Sequence, residues 1–189
     1  MIKKISIITM ILFAALFTVS FAQETEEFNS STNPASIGEP VPSMIELGSV
    51  NSSIYDTTIT VLEVIRGKEA MSLLKKASSK NKKPSKGHEY VLAKIKFDLK
   101  GRAVSDTMSL ELGDNPLQWV ALTSELTDYP PVSVTVPKPA LVGKVKAGGS
   151  EEGWVAFAVE KKDKKPVMVF NPDSGGATGR GRTLFFKLY

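Results

Sequence analysis

The chain has 189 residues, with 24 Lys and Arg against 20 Asp and Glu, a single His, no Cys and a formal charge of +4. The absence of cysteine excludes thiol nucleophiles, thiolate metal sites and disulfides, so the fold must stand on packing alone. One histidine is too few for a tetrahedral zinc site.

The first residues carry Lys3 and Lys4, then an apolar run from Ile5 to Val19, then Ser20 and Ala22 at the positions a signal peptidase reads. This predicts a signal peptide over 1–22, cleaved between Ala22 and Gln23, and an extracellular or periplasmic protein. The alternative is a retained anchor, although the run is slightly short of the about 20 apolar residues of a spanning helix. After cleavage no membrane span is expected and the charge is +2, since only Lys3 and Lys4 are lost. The remaining charge is uneven. Residues 23–65 hold seven acids and no Lys or Arg, whereas 66–102 hold twelve bases and three acids. Such asymmetry suits an interaction surface, though charge runs commonly mark solvated loops.

Residues 23–42 are polar and proline-bearing, which predicts a flexible linker ahead of one domain over 43–189. A short strand is expected at Ser43–Val50 and a β-branched one at Thr57–Gly67. The period then changes: Ala70, Leu73, Leu74 and Ala77 share one face of a short helix, with Lys75 and Lys76 opposite. Residues 78–87 read as an exposed, flexible loop. In "HEYVLAKIKFDLKG" the side chains of Val91, Ala93, Ile95, Phe97 and Leu99 point one way and those of Lys94, Lys96, Asp98 and Lys100 the other, with Leu92 an exception. Further strands are expected in "DTMSLEL", "LQWVALT", "VSVTV", "WVAFAVE", "PVMVF" and "TLFFKLY", separated by Gly-, Pro- and Asp-rich turns. Many short strands and one small helix predict a mainly β protein, an antiparallel β-sandwich.

The segments "IGEPV", "GHEYVLAKIKF", "LVGKVKAGGSEEGWVAFAV" and "KPVMVFNP" resemble a family of exported bacterial domains of unknown function, structurally related to the mycobacterial immunoprotective extracellular antigen. The resemblance spans about Ile37 to Tyr189 and implies an immunoglobulin-like sandwich. It departs in "DLKGRAVSD", where the family often has an Asn-rich turn. It brings no catalytic residues.

Candidate chemistry is sparse. His88 has no accompanying nucleophile motif. Glu151 and Glu152 are adjacent, so a strand directs them to opposite faces and they do not flank one bond. "LGDNP" and "NPDSGG" offer oxygen ligands without the alternation of a calcium loop. "SGGATGRGRT" lacks the Gly-Lys-Ser/Thr and the helix of a phosphate loop. No catalytic residue, metal or cofactor is expected, and the protein reads as a non-enzyme.

Two candidate binding features remain. Lys75, Lys76, Lys80, Lys82, Lys83 and Lys86 form a cationic cluster, fit either for an anionic wall polymer or simply for solubility. Aromatics do not interleave with these lysines, so nucleic acid is not expected. The strand "WVAFAVE" is apolar on both faces: Val155, Phe157 and Val159 on one, Trp154, Ala156 and Ala158 on the other. The second face is either covered, with the helix as its natural partner, or it displays Trp154, and with it Trp119, as a binding platform. The expected function is a secreted, non-catalytic domain that binds another envelope or extracellular protein. The alternative is an envelope polysaccharide module that uses exposed Trp or the lysine loop.

Overall fold

A computed structural model describes residues 29–48, 51–113, 115–173 and 180–189. The expected signal peptide and its cleavage point lie outside the described residues. Among the described residues ten strands and one helix follow in order: β1 (Pro40–Leu47), β2 (Ser53–Arg66), α1 (Gly67–Ala77), β3 (His88–Gly101), β4 (Ser109–Leu112), β5 (Trp119–Leu122), β6 (Gly143–Lys146), β7 (Ser150–Glu160), β8 (Val167–Phe170), β9 (Arg180–Gly181) and β10 (Leu184–Lys187). A five-stranded sheet is ordered β7-β3-β2-β1-β9, a three-stranded one β10-β8-β5, and β4 pairs with β6. All these pairings are antiparallel. The protein is thus mainly antiparallel β with one short helix.

The alternation in β3 sets the main core. Val91, Ala93, Ile95, Phe97 and Leu99 are buried together with Tyr55, Ile59 and Val61 of β2 and Phe157 and Val159 of β7. The opposing layer supplies Trp119 and Ala121, Met168 and Phe170, Leu184 and Phe186. Phe170 joins the layers, its ring 5.8 Å from Phe97 and 4.6 Å from Trp119. In β2 the inward positions are odd-numbered up to Val61. The register then shifts between Val61 and Glu63. This bulge changes the parity, so Val64 packs on the main core and Ile65 on the opposite face.

That opposite face holds a second cluster, which contains Ala70 and Leu74 of α1 and Tyr90 and Leu92 of β3. Leu92 breaks the in-out pattern of its strand because the helix roofs it. Glu69 in the first turn and Lys75 and Lys76 in the last suit the helix dipole. Leu74, fully buried, contributes roughly 2 kcal/mol by its area alone. The helix lies over β3 and β2. The outward residues of β7, namely Trp154, Ala156 and Ala158, pack in the same cluster with Val132, Val134 and Val136. β7 is therefore covered on both faces, and by two different elements.

Three expectations change. The segment "VSVTV" forms no ladder: 132–136 is an extended strap outside any sheet, because its valines pack onto a sheet face and leave its backbone without a neighbouring strand. The chain is docked well ahead of residue 43. Asn29 is buried, its Nδ2 donates to the Phe185 carbonyl at 2.6 Å and its Oδ1 accepts from Phe185 N–H at 2.8 Å. Ala35 pairs with β10 through Phe185 and Lys187. A polar composition there reflects a segment held by hydrogen bonds rather than by apolar burial. Finally, the loop 78–87 is pinned at its centre. Asn81 is buried, and its Nδ2 donates to the carbonyls of Leu74 and Thr135, both at 2.7 Å, while its Oδ1 accepts from Thr135 N–H at 2.8 Å. One side-chain amide thus closes the helix end and pairs with the strap as a strand residue would.

Candidate binding cleft

The valine strap does not seal its side of the molecule. Between it, β5, β7 and the residues Gly113 and Asn115 to Leu117 lies a cleft of 460 Å³. Its wall includes Trp119, Val120 and Ala121 of β5 and Trp154, Val155, Ala156 and Phe157 of β7. Tyr129, Pro130, Pro131 and the three strap valines form the roof, and Leu117, Leu141, Val142 and the amide of Asn115 are also in the lining. Two large apolar side chains remain open to solvent here, Leu117 at 53% and Val142 at 61%. Asp128 is the one charged side chain in the lining among the described residues.

Both candidate tryptophans reach this cleft, in different ways. Trp119 is not an exposed platform. It is 6% exposed, and its indole N–H meets no acceptor among the described residues. Its ring is held between the two layers by Phe170 at 4.6 Å. Trp154 is half-buried under the strap. The difference follows from position: Trp119 lies on a four-residue strand between two layers and is taken up by the core, whereas Trp154 lies on the edge strand β7 and keeps part of its surface in the cleft.

The strap is fastened at three points. Tyr129 N–H donates to the Ala121 carbonyl at 2.8 Å, Thr135 pairs with Asn81, and the stretch 139–141 pairs with Trp154. At the last point the backbones touch, and Gly153 makes this possible. A Cβ there would lie 2.5 Å from the Ala140 carbonyl carbon and closer still to Leu141 N. Such distances are inside van der Waals contact, so no side chain fits at 153.

Beside the cleft is a polar groove that contains His88, Ser124, Tyr129, Glu160 and Asp163. The Tyr129 hydroxyl donates to Asp163 Oδ2 at 2.9 Å. Asp163 also accepts from Ser124 N–H and Lys165 N–H. Burial pushes the Tyr129 phenol up to about 12; the Glu160 backbone opposes the rise and the Asp163 carboxylate reinforces it. His88 Nδ1 lies 3.3 Å from the Lys86 carbonyl, and among the described residues no hydroxyl bonds its ring. These hydrogen bonds to Asp163 tie the stretches 124–129 and 163–165 together.

The six lysines Lys75, Lys76, Lys80, Lys82, Lys83 and Lys86 are all exposed. Among the described residues none of them pairs with a carboxylate, and Lys75 Nζ donates to the Ser79 carbonyl at 3.0 Å. Asn81 joins their loop to the roof of the cleft. The described residues contain no group of three His, Cys, Asp or Glu positioned to hold a metal ion. No described helix is long and apolar enough to cross a membrane.

Leu117, Tyr129, Asn81 and Val142 were not among the sequence candidates. The one sequence signal for the roof is "PPVSVTVPKP", a strand-like alternation bounded by prolines, which disfavour ladder pairing.

No protein-family model and no curated protein matches the chain. Among solved structures, a putative lipoprotein of Bacillus subtilis, YcdA, is similar at a TM-score of 0.45 and 17% identity, over 69% of this chain and 35% of that one. The chain therefore spans about a third of that protein's length.

Proposed function

We propose that the protein is an exported, non-catalytic interaction domain that binds another protein of the cell envelope, and that the partner seats an apolar segment in the cleft. The immunoglobulin-like assignment and the kinship with exported domains of unknown function belong to the same proposal. They are supported by the stacked antiparallel layers and by the motifs along β3 and β7. The observation that carries the reading is the cleft itself, whose lining is aromatic and aliphatic with one carboxylate. Its 460 Å³ falls within the about 300 to 1,000 Å³ of ligand sites. The exposed Leu117 and Val142 at its mouth suit a protein contact.

A sugar site needs polar side chains around an open aromatic face, and this cleft offers few. The polysaccharide reading therefore falls to the lysine face, where six ammonium groups stand in solvent. A crosslinked pull-down from an envelope fraction separates the two, using Gln23–Tyr189 and its Leu117→Asp and Val142→Asp variants. One protein captured at moderate salt, and lost with either rim variant, is the expected result. Capture of wall polymer that falls away as salt rises, with the rim variants unaffected, would transfer the function to the lysines.

A further inference from the structure

β7 is the outer strand of the five-stranded sheet. At Trp154 both backbone groups turn outward: N–H donates to the Pro139 carbonyl at 2.9 Å, and the carbonyl accepts from Leu141 N–H at 3.2 Å. In an antiparallel pair the backbone groups alternate between the two sides of the strand. The β3–β7 register runs without a shift from Asp98↔Ser150 to His88↔Glu160. Ala156 and Ala158 therefore also point N–H and C=O away from β3, and no described residue bonds them. Both residues are half-buried.

The facing strand does the same. The Gln118 carbonyl accepts from Asn171 N–H on the β8 side of β5, and the Ala121 carbonyl accepts from Tyr129 N–H on the other. Trp119 accordingly directs its backbone groups away from β8, and no described residue bonds them. Four consecutive residues of β7, Trp154 to Phe157, line the cleft. Successive side chains lie on opposite faces of a strand, so a cleft that touches all four opens onto the strand's edge.

We infer that the partner's segment enters as an added β-strand, extended and apolar at alternate positions, hydrogen-bonded to Ala156 and Ala158 along the edge of β7. This deepens the cleft-binding reading and rests on it. The alternate apolar side chains meet the valine roof and the aromatic floor, and the backbone satisfies the edge. A lipid chain or an apolar small molecule would fill the same volume but expel water from unpaired N–H and C=O groups, which is unfavourable.

The test uses the folded domain and a displayed library of random linear peptides. Selected peptides are resynthesised with backbone N-methyl groups on alternate residues, in each of the two registers. The expected result is a shared apolar-every-second pattern, with about tenfold or greater loss of affinity in one register and little in the other, since only one set of N–H groups faces β7. Ala156→Pro removes one edge donor at a position where an edge strand tolerates proline, and weakens binding similarly. Should that variant unfold, the methylated peptides on the unsubstituted domain decide. Peptides that tolerate methylation in both registers, yet fail on Leu117→Asp, would overturn strand addition and leave the cleft-binding reading standing. Failure to enrich any peptide, or enriched peptides indifferent to Leu117→Asp, would sink both.

Discussion

The large sheet is covered differently on its two faces. On one, β3 and β7 press against a second layer of strands, and Phe97, Phe170 and Phe186 are fully buried. On the other, a short helix and an unladdered strap share the work, and Met71, Leu73, Val132, Val134, Val136 and Trp154 stay half-buried. The first face is closed by elements that each have a sheet of their own. The second is closed by pieces whose backbone is held at a few points, and the cleft opens where that roof meets the edge of β7. A face roofed by a helix and a strap can be stable enough to fold and still leave room for a guest.

Core truncation tests this contrast most strongly. Phe97→Ala should cost about 3–5 kcal/mol in denaturant unfolding, because the surrounding sheets cannot collapse into the void. Leu74→Ala, equally buried but under the helix, should cost about 2–3 kcal/mol, the low end for such a truncation. A larger loss at Leu74 than at Phe97 would break the comparison. Asn81→Ala comes next, at about 1–3 kcal/mol, since it strands the Thr135 carbonyl and N–H, while the Leu74 carbonyl keeps the Ser78 N–H. Hydrogen exchange should quicken in 78–87 and 130–137 and stay slow in β3. Uniformly faster exchange would mean that the strap belongs to the main cooperative unit.

A pH titration sharpens the picture at the strap's anchor. The folded-state pKa of Tyr129, about 12, lies above its ordinary 10.0. Its contribution is complete below pH 10 and is lost as pH rises through about 12. Stability should fall over that window, and Tyr129→Phe should flatten that part of the profile. The smallest effect is expected at the Arg102–Asp56 pair, 2.6 Å apart on the surface. Asp56 is held below its ordinary range by its hydrogen bond to Arg102. Because the pair is solvated, Arg102→Ala should leave the unfolding midpoint within error at ordinary salt.

Strands whose neighbours bury one face announce themselves by period, and β3 was legible for that reason. The two-sided apolar pattern of β7 implied cover on both faces; the expected partner, α1, lies over β3 and β2 instead, and the valine strap shares the cluster of β7's second face. The rest depends on contacts between distant residues. Asn81 meets Thr135 across 54 positions, and nothing local distinguishes it from any loop asparagine. "VSVTV" carries a strand's alternation without a ladder, since periodicity records which side chains are buried and says nothing of where the backbone hydrogen bonds go. β9 has two residues and β6 a single buried one, so neither carries a period. The cleft itself was legible only as two tryptophans, because its lining comes from five separate stretches of chain.

The tight passage of 139–141 over Gly153 makes that glycine a latch one atom deep. A single added methyl, as in Gly153→Ala, would act as a wedge, prising Ala140 and Leu141 from the strand and freeing the N–H and C=O of Trp154. The accessible margin of β7 would then grow from Ala156–Ala158 to Trp154–Ala158. Under the proposed strand addition, the missing side chain at 153 would limit how long a segment the edge of β7 can pair with.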